Sequence, residues 1–312
     1  MLYGKYAFSC ILLDDAHLPP FKGSTFRGVF GHALKKVVCA QRRRTCGECL
    51  LRDRCVYTLV FETPESPEPR GRPSPPHPFL IEPPNTSRTH LEKGEAFEFT
   101  LILFGKANEY LPYFVYAFET IGKTGIGRRF QGQSARFLLE RLSENGRILY
   151  RPEEKVIRAP SPSTLSLESP HAAGADRSLE VTVSLITPLR VKYHNRLHAE
   201  LPFPILARTM LRRIHTLNHH FGNGAPDIDY RGLIRKAEAV ETFSSQIRWF
   251  DWERYSNRQD QSMLMGGMIG NVTYRGRLTP YLPLLRFSEK VHLGKATTFG
   301  LGEIRVSEGE CV

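Results

Sequence analysis

The pattern Tyr-Leu-Pro, followed about twelve residues later by Gly-Lys, occurs twice in this chain. That repetition limits the available folds more than any other feature. Tyr110-Leu111-Pro112 precedes Gly122-Lys123, and Tyr281-Leu282-Pro283 precedes Gly294-Lys295. Upstream, Pro20-Phe21 leads into an apolar-periodic helix bearing Arg27, and Pro202-Phe203 into another bearing Arg208. A strand pattern comes before each of these helices. Leu2, Tyr6, Phe8 and Leu12 share one face of the first; Leu179, Val181, Val183 and Leu185 alternate with polar residues in the second. Phe97, Phe99, Leu101 and Leu103 mark a further strand. Each half reads strand, helix, strands, helix, glycine loop, short strand. That order specifies two tandem ferredoxin-like βαββαβ domains, an α+β fold.

The boundaries follow from composition. The first domain spans 1–150. It carries a cysteine-rich segment at 39–55 and a proline-rich, extended or disordered insertion at 62–85. Residues 151–177, rich in Pro, Ser, Ala and Gly, read as a linker, and 178–312 as the second domain with its glycine-rich loop at 294–302. A strand is expected over Val56 to Phe61.

The glycine loops are not standard nucleotide sites. Phosphate-cradling loops follow a first strand and open a helix, whereas Gly294–Gly302 precedes a short last strand. A P-loop would need glycine where Ala117 stands before Gly122-Lys123-Thr124.

The chain has 43 Lys+Arg against 32 Asp+Glu, a formal charge of +11 over 312 residues, which favours an anionic partner, nucleic acid above all. No apolar run is long enough to span a bilayer. The opening MLYGKYAFSC lacks the continuous apolar region of a signal peptide, so the expected location is the cytoplasm. In that reducing compartment the four clustered cysteines, Cys39, Cys46, Cys49 and Cys55, suggest metal before disulfides. The spacing C-x6-C-x2-C-x5-C can close a tetrahedral structural zinc site with no open position. An iron–sulfur cluster or free thiols are the alternatives.

These features together resemble the RAMP superfamily of CRISPR-associated proteins. The closest resemblance is to its precursor-CRISPR-RNA processing endoribonucleases, the sixth CRISPR-associated family. It rests on the two ferredoxin-like halves, the tracts LPPFKGSTFRGVFGHALKKVVC and DWERYSNRQ, and the C-terminal HLGKATTFGLG. The resemblance implies an enzyme that binds CRISPR repeat RNA and cuts precursor CRISPR RNA without a catalytic metal. Its products would carry a 2′,3′-cyclic phosphate and a 5′-hydroxyl. It would act as a monomer or homodimer, with a CRISPR effector complex as a further partner. A non-catalytic RAMP subunit that holds guide RNA is the alternative. A zinc-stabilised DNA-binding regulator is weaker, since no helix-turn-helix or finger pattern is present.

Cleavage of this kind needs proton transfers at the 2′-hydroxyl and at the leaving oxygen, and a cation for the phosphorane. His32 lies off the buried stripe of Phe26, Phe30, Ala33, Leu34 and Val37, on the face of Gly28, Gly31 and Lys35, and Ser24 or Thr25 would cap its helix. In the family the catalytic histidine commonly lies on or near this helix. The resemblance therefore points to His32, with Lys35 or Lys36 for charge. His292, just before the C-terminal loop, is the rival catalyst.

RNA contacts are expected at the loop itself: main-chain N–H groups freed by Gly294 and Gly300, the Lys295 charge, the Thr297 and Thr298 hydroxyls, and Phe299 for stacking. Lys123 and Arg128 form a second candidate, and Arg27 a third. Arg208 and Arg212 share a helical face at i, i+4. Arg254 and Arg258 interleave with the aromatics of Trp249–Gln259.

Overall fold

A computed structural model of the chain describes all residues except 43, 64–74, 131, 169–177, 194–195, 257–260 and 310–312; for 253–256 and 261–263 it describes the backbone only. The chain divides into two compact units, Met1–Thr164 and Leu165–Val312.

In the first unit the strand Leu2–Leu12 is central because alternate residues are large and apolar: Tyr6, Phe8, Cys10 and Leu12 are all buried. It pairs antiparallel with Ala96–Phe104 on one side and Phe137–Glu144 on the other. Phe79–Glu82 adds to the outer edge of Ala96–Phe104. In terms of the repeat unit the spatial order is second, third, first, fourth strand, the ferredoxin-like arrangement. Helices α1 (Gly23–Val38) and α2 (Leu111–Thr124) cover one face and share its core. Phe8 stacks on its cross-strand partner Phe99 at 4.8 Å, and Phe118 of α2 lies against both rings.

The second unit repeats the plan. The strand Ser178–Leu189 is flanked by Gln261–Arg277 and Ile304–Gly309, with Glu241–Ser245 and Arg248–Ser256 both pairing with Gln261–Arg277. Helices α3 (Phe203–Phe221) and α5 (Leu282–Val291) correspond to α1 and α2. The repeated Leu-Pro lies at the start of α2 and of α5, where proline's missing N–H costs nothing. Among the elements outside the repeat is the short helix α4 (Tyr230–Ala237), capped by the Asp229 side chain accepting from the Gly232 amide at 2.8 Å.

Three expectations change. The segment read as a linker belongs partly to the first unit. Ser163 and Thr164 pair with Tyr3 and Leu2, and the Arg158 amide donates to the Leu149 carbonyl at 2.8 Å. The proline-rich insertion contains the edge strand Phe79–Glu82, with Phe79, Leu80 and Ile81 buried; its residues 64–74 lie outside the described residues. Prolines permit this because an edge strand needs donors on one side only. The expected strand over Val56 to Phe61 is instead a wide helical turn, Thr58–Glu62, closed by the Thr63 amide on the Thr58 carbonyl at 2.8 Å.

Candidate ribonucleolytic and RNA-binding sites

Helix α1 has two unlike faces beside its buried stripe. On one, the Arg27 guanidinium lies 5.2 Å from the Phe61 ring centre and the Lys35 amine 5.3 Å from that of Tyr57, with Tyr57 and Phe61 themselves stacked. Gly31 lets Phe61 close onto the helix, for a Cβ there would come within 3.0 Å of the ring. On the other face stand Gly28, whose missing Cβ faces open space, and exposed His32 and Lys36. So Gly31 and Lys35 are packing residues, and His32 keeps company with Gly28 and Lys36. One helical turn separates His32 from Lys36, about 6 Å of rise. An exposed imidazole beside an ammonium on a glycine-cleared surface can exchange a proton with a ligand and hold its negative charge.

The start of this helix is held in an unexpected way. Neither Ser24 nor Thr25 caps it; Lys22 is the capping residue and makes no side-chain cap. Its buried amine instead donates to the carbonyls of Pro20, Thr86 and Arg88 at 3.3, 2.6 and 2.8 Å. Burial pushes this amine's pKa down. An apolar periodicity cannot signal such a tie, because the partners are backbone carbonyls, two of them far along the chain.

The C-terminal loop is packed against its own unit. Two of its main-chain donors are spent on a neighbouring segment, Lys295 N on the Arg190 carbonyl at 2.8 Å and Gly302 N on Pro188 at 3.2 Å, and Gly300 N closes a turn on Thr297 at 2.8 Å. Thr187 donates to the Gly300 carbonyl at 2.7 Å and accepts from the Glu303 amide at 2.9 Å. A Cβ at Gly302 would overlap the Leu293 carbonyl oxygen, and Gly302 also has φ +77°. Thr297 and Thr298 are buried and Phe299 half-buried; Lys295 is the exposed cation. Gly302→Ala is therefore expected to cost about 2–3 kcal/mol through contact and backbone strain, read as a lowered denaturation midpoint. A change below 0.5 kcal/mol, on the order of an ordinary surface substitution, would contradict this packing.

His292 is fully buried, and its ring Nδ1 lies 3.2 Å from the Leu301 carbonyl. It ends α5 with φ 55°, where Gly125 with φ 88° ends α2 in the first unit. Beneath the loop it cannot meet a phosphate, so the geometry sets it aside as a catalyst. Arg213 of α3 reinforces this end of the loop, donating to the Val291 and His292 carbonyls. Burial pushes its guanidinium down to about 10.

Lys123 and Arg128 are exposed at and beyond the end of α2, on the run that forms the hairpin Ile126–Phe130 with Gln133–Ala135. Sequence reasoning missed Phe130, 72% exposed beside the exposed Arg128 and Arg129; an aromatic directly after two arginines was the available signal. Arg208 and Arg212 are both exposed on α3, as their spacing predicts. Arg254 falls in a strand whose side chain is undescribed, and Arg258 lies outside the described residues. Trp252 is buried, and Trp249 donates to Asp251 at 2.7 Å.

Cys39, Cys46, Cys49 and Cys55 are free, half-buried thiols. Tight turns bring Cys49 N onto the Cys46 carbonyl and Cys55 N onto that of Arg52, each at 3.4 Å. The donor type suits zinc, but among the described residues no three metal-binding side chains converge, so the thiols as placed do not close a site.

Residues 1–162 match the family model for the AF_1859_N N-terminal domain, and residues 183–304 match that for CRISPR-associated endoribonuclease Cas6. An uncharacterized protein of Archaeoglobus fulgidus is 27% identical over 303 residues, 93% of each chain. Among solved structures, a Cas6 product complex has a TM-score of 0.57 at 14% identity, covering 98% of this chain and 100% of that one. Thermus thermophilus Cas6 has 0.54 at 13% identity, over 98% of each chain. The Cas6-containing chain of a partial Cas6–RT–Cas1–Cas2 complex has 0.61 at 13% identity, over 100% of this chain and 47% of that one. These structural likenesses concern the fold. Among the described residues no helix is long and apolar enough to cross a membrane.

Proposed function

We propose that this chain, whose residues 183–304 match the family model for CRISPR-associated endoribonuclease Cas6 and whose fold is like that of solved Cas6 structures, is a Cas6/RAMP-type endoribonuclease cutting precursor CRISPR RNA within its repeats. The observation that carries the reading is the open face of α1, where exposed His32 and Lys36 stand beside Gly28. The 2′-hydroxyl loses its proton and attacks the adjacent phosphorus; the P–O5′ bond breaks and O5′ takes up a proton. The products are a 2′,3′-cyclic phosphate and a 5′-hydroxyl. His32 serves one of the two proton transfers, and Lys36 stabilises the charge that builds on the phosphorane oxygens. Exposed Lys123, Arg128, Arg208, Arg212 and Lys295 supply the sequence-independent part of RNA affinity.

No step in this scheme calls for a metal. The test is cleavage of end-labelled cognate repeat RNA by purified protein in excess EDTA. One cut, leaving a cyclic phosphate, is the expected result. Tight binding without a cut would sink the nuclease reading and leave a subunit that holds guide RNA.

For the cysteine segment, the four thiols and the two tight turns support a structural zinc, which would require the side chains to swing together. Metal analysis of freshly purified protein would then find about one zinc per chain, lost in Cys46→Ser/Cys49→Ser. Protein that folds with its full RNA affinity and carries no zinc would remove this proposal.

A further inference from the structure

The second unit holds a cavity of about 500 Å³ that the cleavage scheme does not use. That size falls within the range of small-molecule sites. It lies where the short strand pair Lys192–Tyr193/Arg196–Leu197, helix α3 and helix α4 come together. Among the described α-helices of the second unit, α4 is the one that the βαββαβ plan does not require, and its residues Tyr230 and Ile234 form part of the wall.

The lining divides by chemistry. Val191 and Leu211 are buried, and with Ile205 and Ile234 they make an apolar floor and wall. Tyr193 and Tyr230 add aromatic surface. The Tyr230 hydroxyl lies 3.3 Å from His215 Nδ1, and the two rings meet edge to face at 5.6 Å. Lys192, Arg208 and Arg212 are exposed at its margin. No carboxylate is found among the described residues that line it. The polar face continues outward: Arg208, Arg212, His215 and His219 are exposed at successive turns of one face of α3.

We infer that this cavity seats a single unpaired nucleotide of the bound RNA, its base among the aromatic and aliphatic residues and its flanking phosphates on Arg208, Arg212 and Lys192. An apolar, aromatic-lined recess suits the faces of a base, and a rim of cations with no acid suits what a base carries with it. A purely electrostatic track would not need the recess, and a purely apolar ligand would not need the rim. The inference rests on the RNA-processing reading, and adds to it a second recognition point located outside the α1 face.

The test uses the full chain. Nucleoside 5′-monophosphates (AMP, GMP, CMP and UMP) are titrated calorimetrically into wild type, into Arg208→Glu/Arg212→Glu, and into Ile234→Trp, which fills the recess. In parallel, repeat RNAs carrying 2-aminopurine at each unpaired position in turn report where a base becomes enclosed. The expected result is binding of at least one mononucleotide, weakened about tenfold or more by each variant. One 2-aminopurine position should respond in wild type and lose its response in both variants. The charge-reversed pair lies on exposed positions, so it remains informative if the tryptophan disturbs α4.

RNA that binds and is cut, with no position responding to either variant, would overturn the inference and leave the processing reading intact. Equal occupancy by a polyglutamate peptide would also overturn it, since the rim alone would then account for binding. Failure of wild type to bind repeat RNA at all would overturn the processing reading and this inference with it.

Discussion

With alanine at position 32, the single-turnover rate of repeat-RNA cleavage should fall by about 10²–10⁴-fold, the usual contribution of a positioned proton-transfer group. RNA affinity should stay within a few-fold of wild type. The separation is expected because His32 is exposed on α1 and makes no packing contact on which the core relies. Loss of the imidazole therefore removes chemistry without removing structure. Lys36→Ala should lower the rate less and weaken its dependence on salt, as loss of one phosphate-facing cation would. Lys35→Ala, which removes a cation resting on Tyr57, should act mainly on stability. A His32→Ala protein that cuts at the wild-type rate would move the chemistry off this helix altogether.

The helix that presents His32 is itself anchored by one ring. Phe30→Ala should cost about 3–5 kcal/mol of stability, the range for a fully buried aromatic. Phe30 is fully buried and stacks on Phe118 of α2 at 4.8 Å with an interplanar angle of 2°. It also meets Phe114 of the same helix edge-on at 5.6 Å, Phe79 of the edge strand at 5.5 Å, and Phe61 of the wide turn at 5.4 Å. Four rings from three separate segments converge on it, so a cavity there cannot be filled by the shift of one neighbour. Denaturant unfolding monitored in the first unit would read the loss. Phe30→Leu, keeping much of the volume, should lose less. A cost under 1 kcal/mol for alanine would mean that the core is arranged otherwise, because even a single buried methylene contributes on that order.

The duplicated plan was legible because each half repeats signals with a local cause. The Leu-Pro of each copy starts a helix because proline's missing N–H costs nothing there, and alternating apolar residues mark a half-buried strand. Phe79–Glu82 was hidden because its four residues sit among prolines, and only pairing with Ala96–Phe104 gives them their structure. The face of His32 was legible from helical spacing. Its division from Lys35 was not, since that depends on Tyr57 and Phe61 arriving from a turn some twenty residues further on. Likewise, the glycines at 294 and 302 announce a close approach without saying what approaches. The sequence is equally consistent with a phosphate and with the carbonyls of Arg190 and Leu293, and only the folded chain shows the latter. The α4 cavity left no trace in the repeat because α4 has no counterpart in the first half.

The C-terminal glycine run thus inverts the usual association of glycine with slack. Pinned through Lys295, Gly300 and Gly302 to a neighbouring segment of its own unit, it is a seam. The amides of Lys295 and Gly302, bonded to that segment, should be among the slowly exchanging ones of the unit, opening with the sheet rather than ahead of it. Whatever RNA touches there meets a fixed edge whose shape is settled before binding, so little ordering entropy remains to be lost when the complex forms.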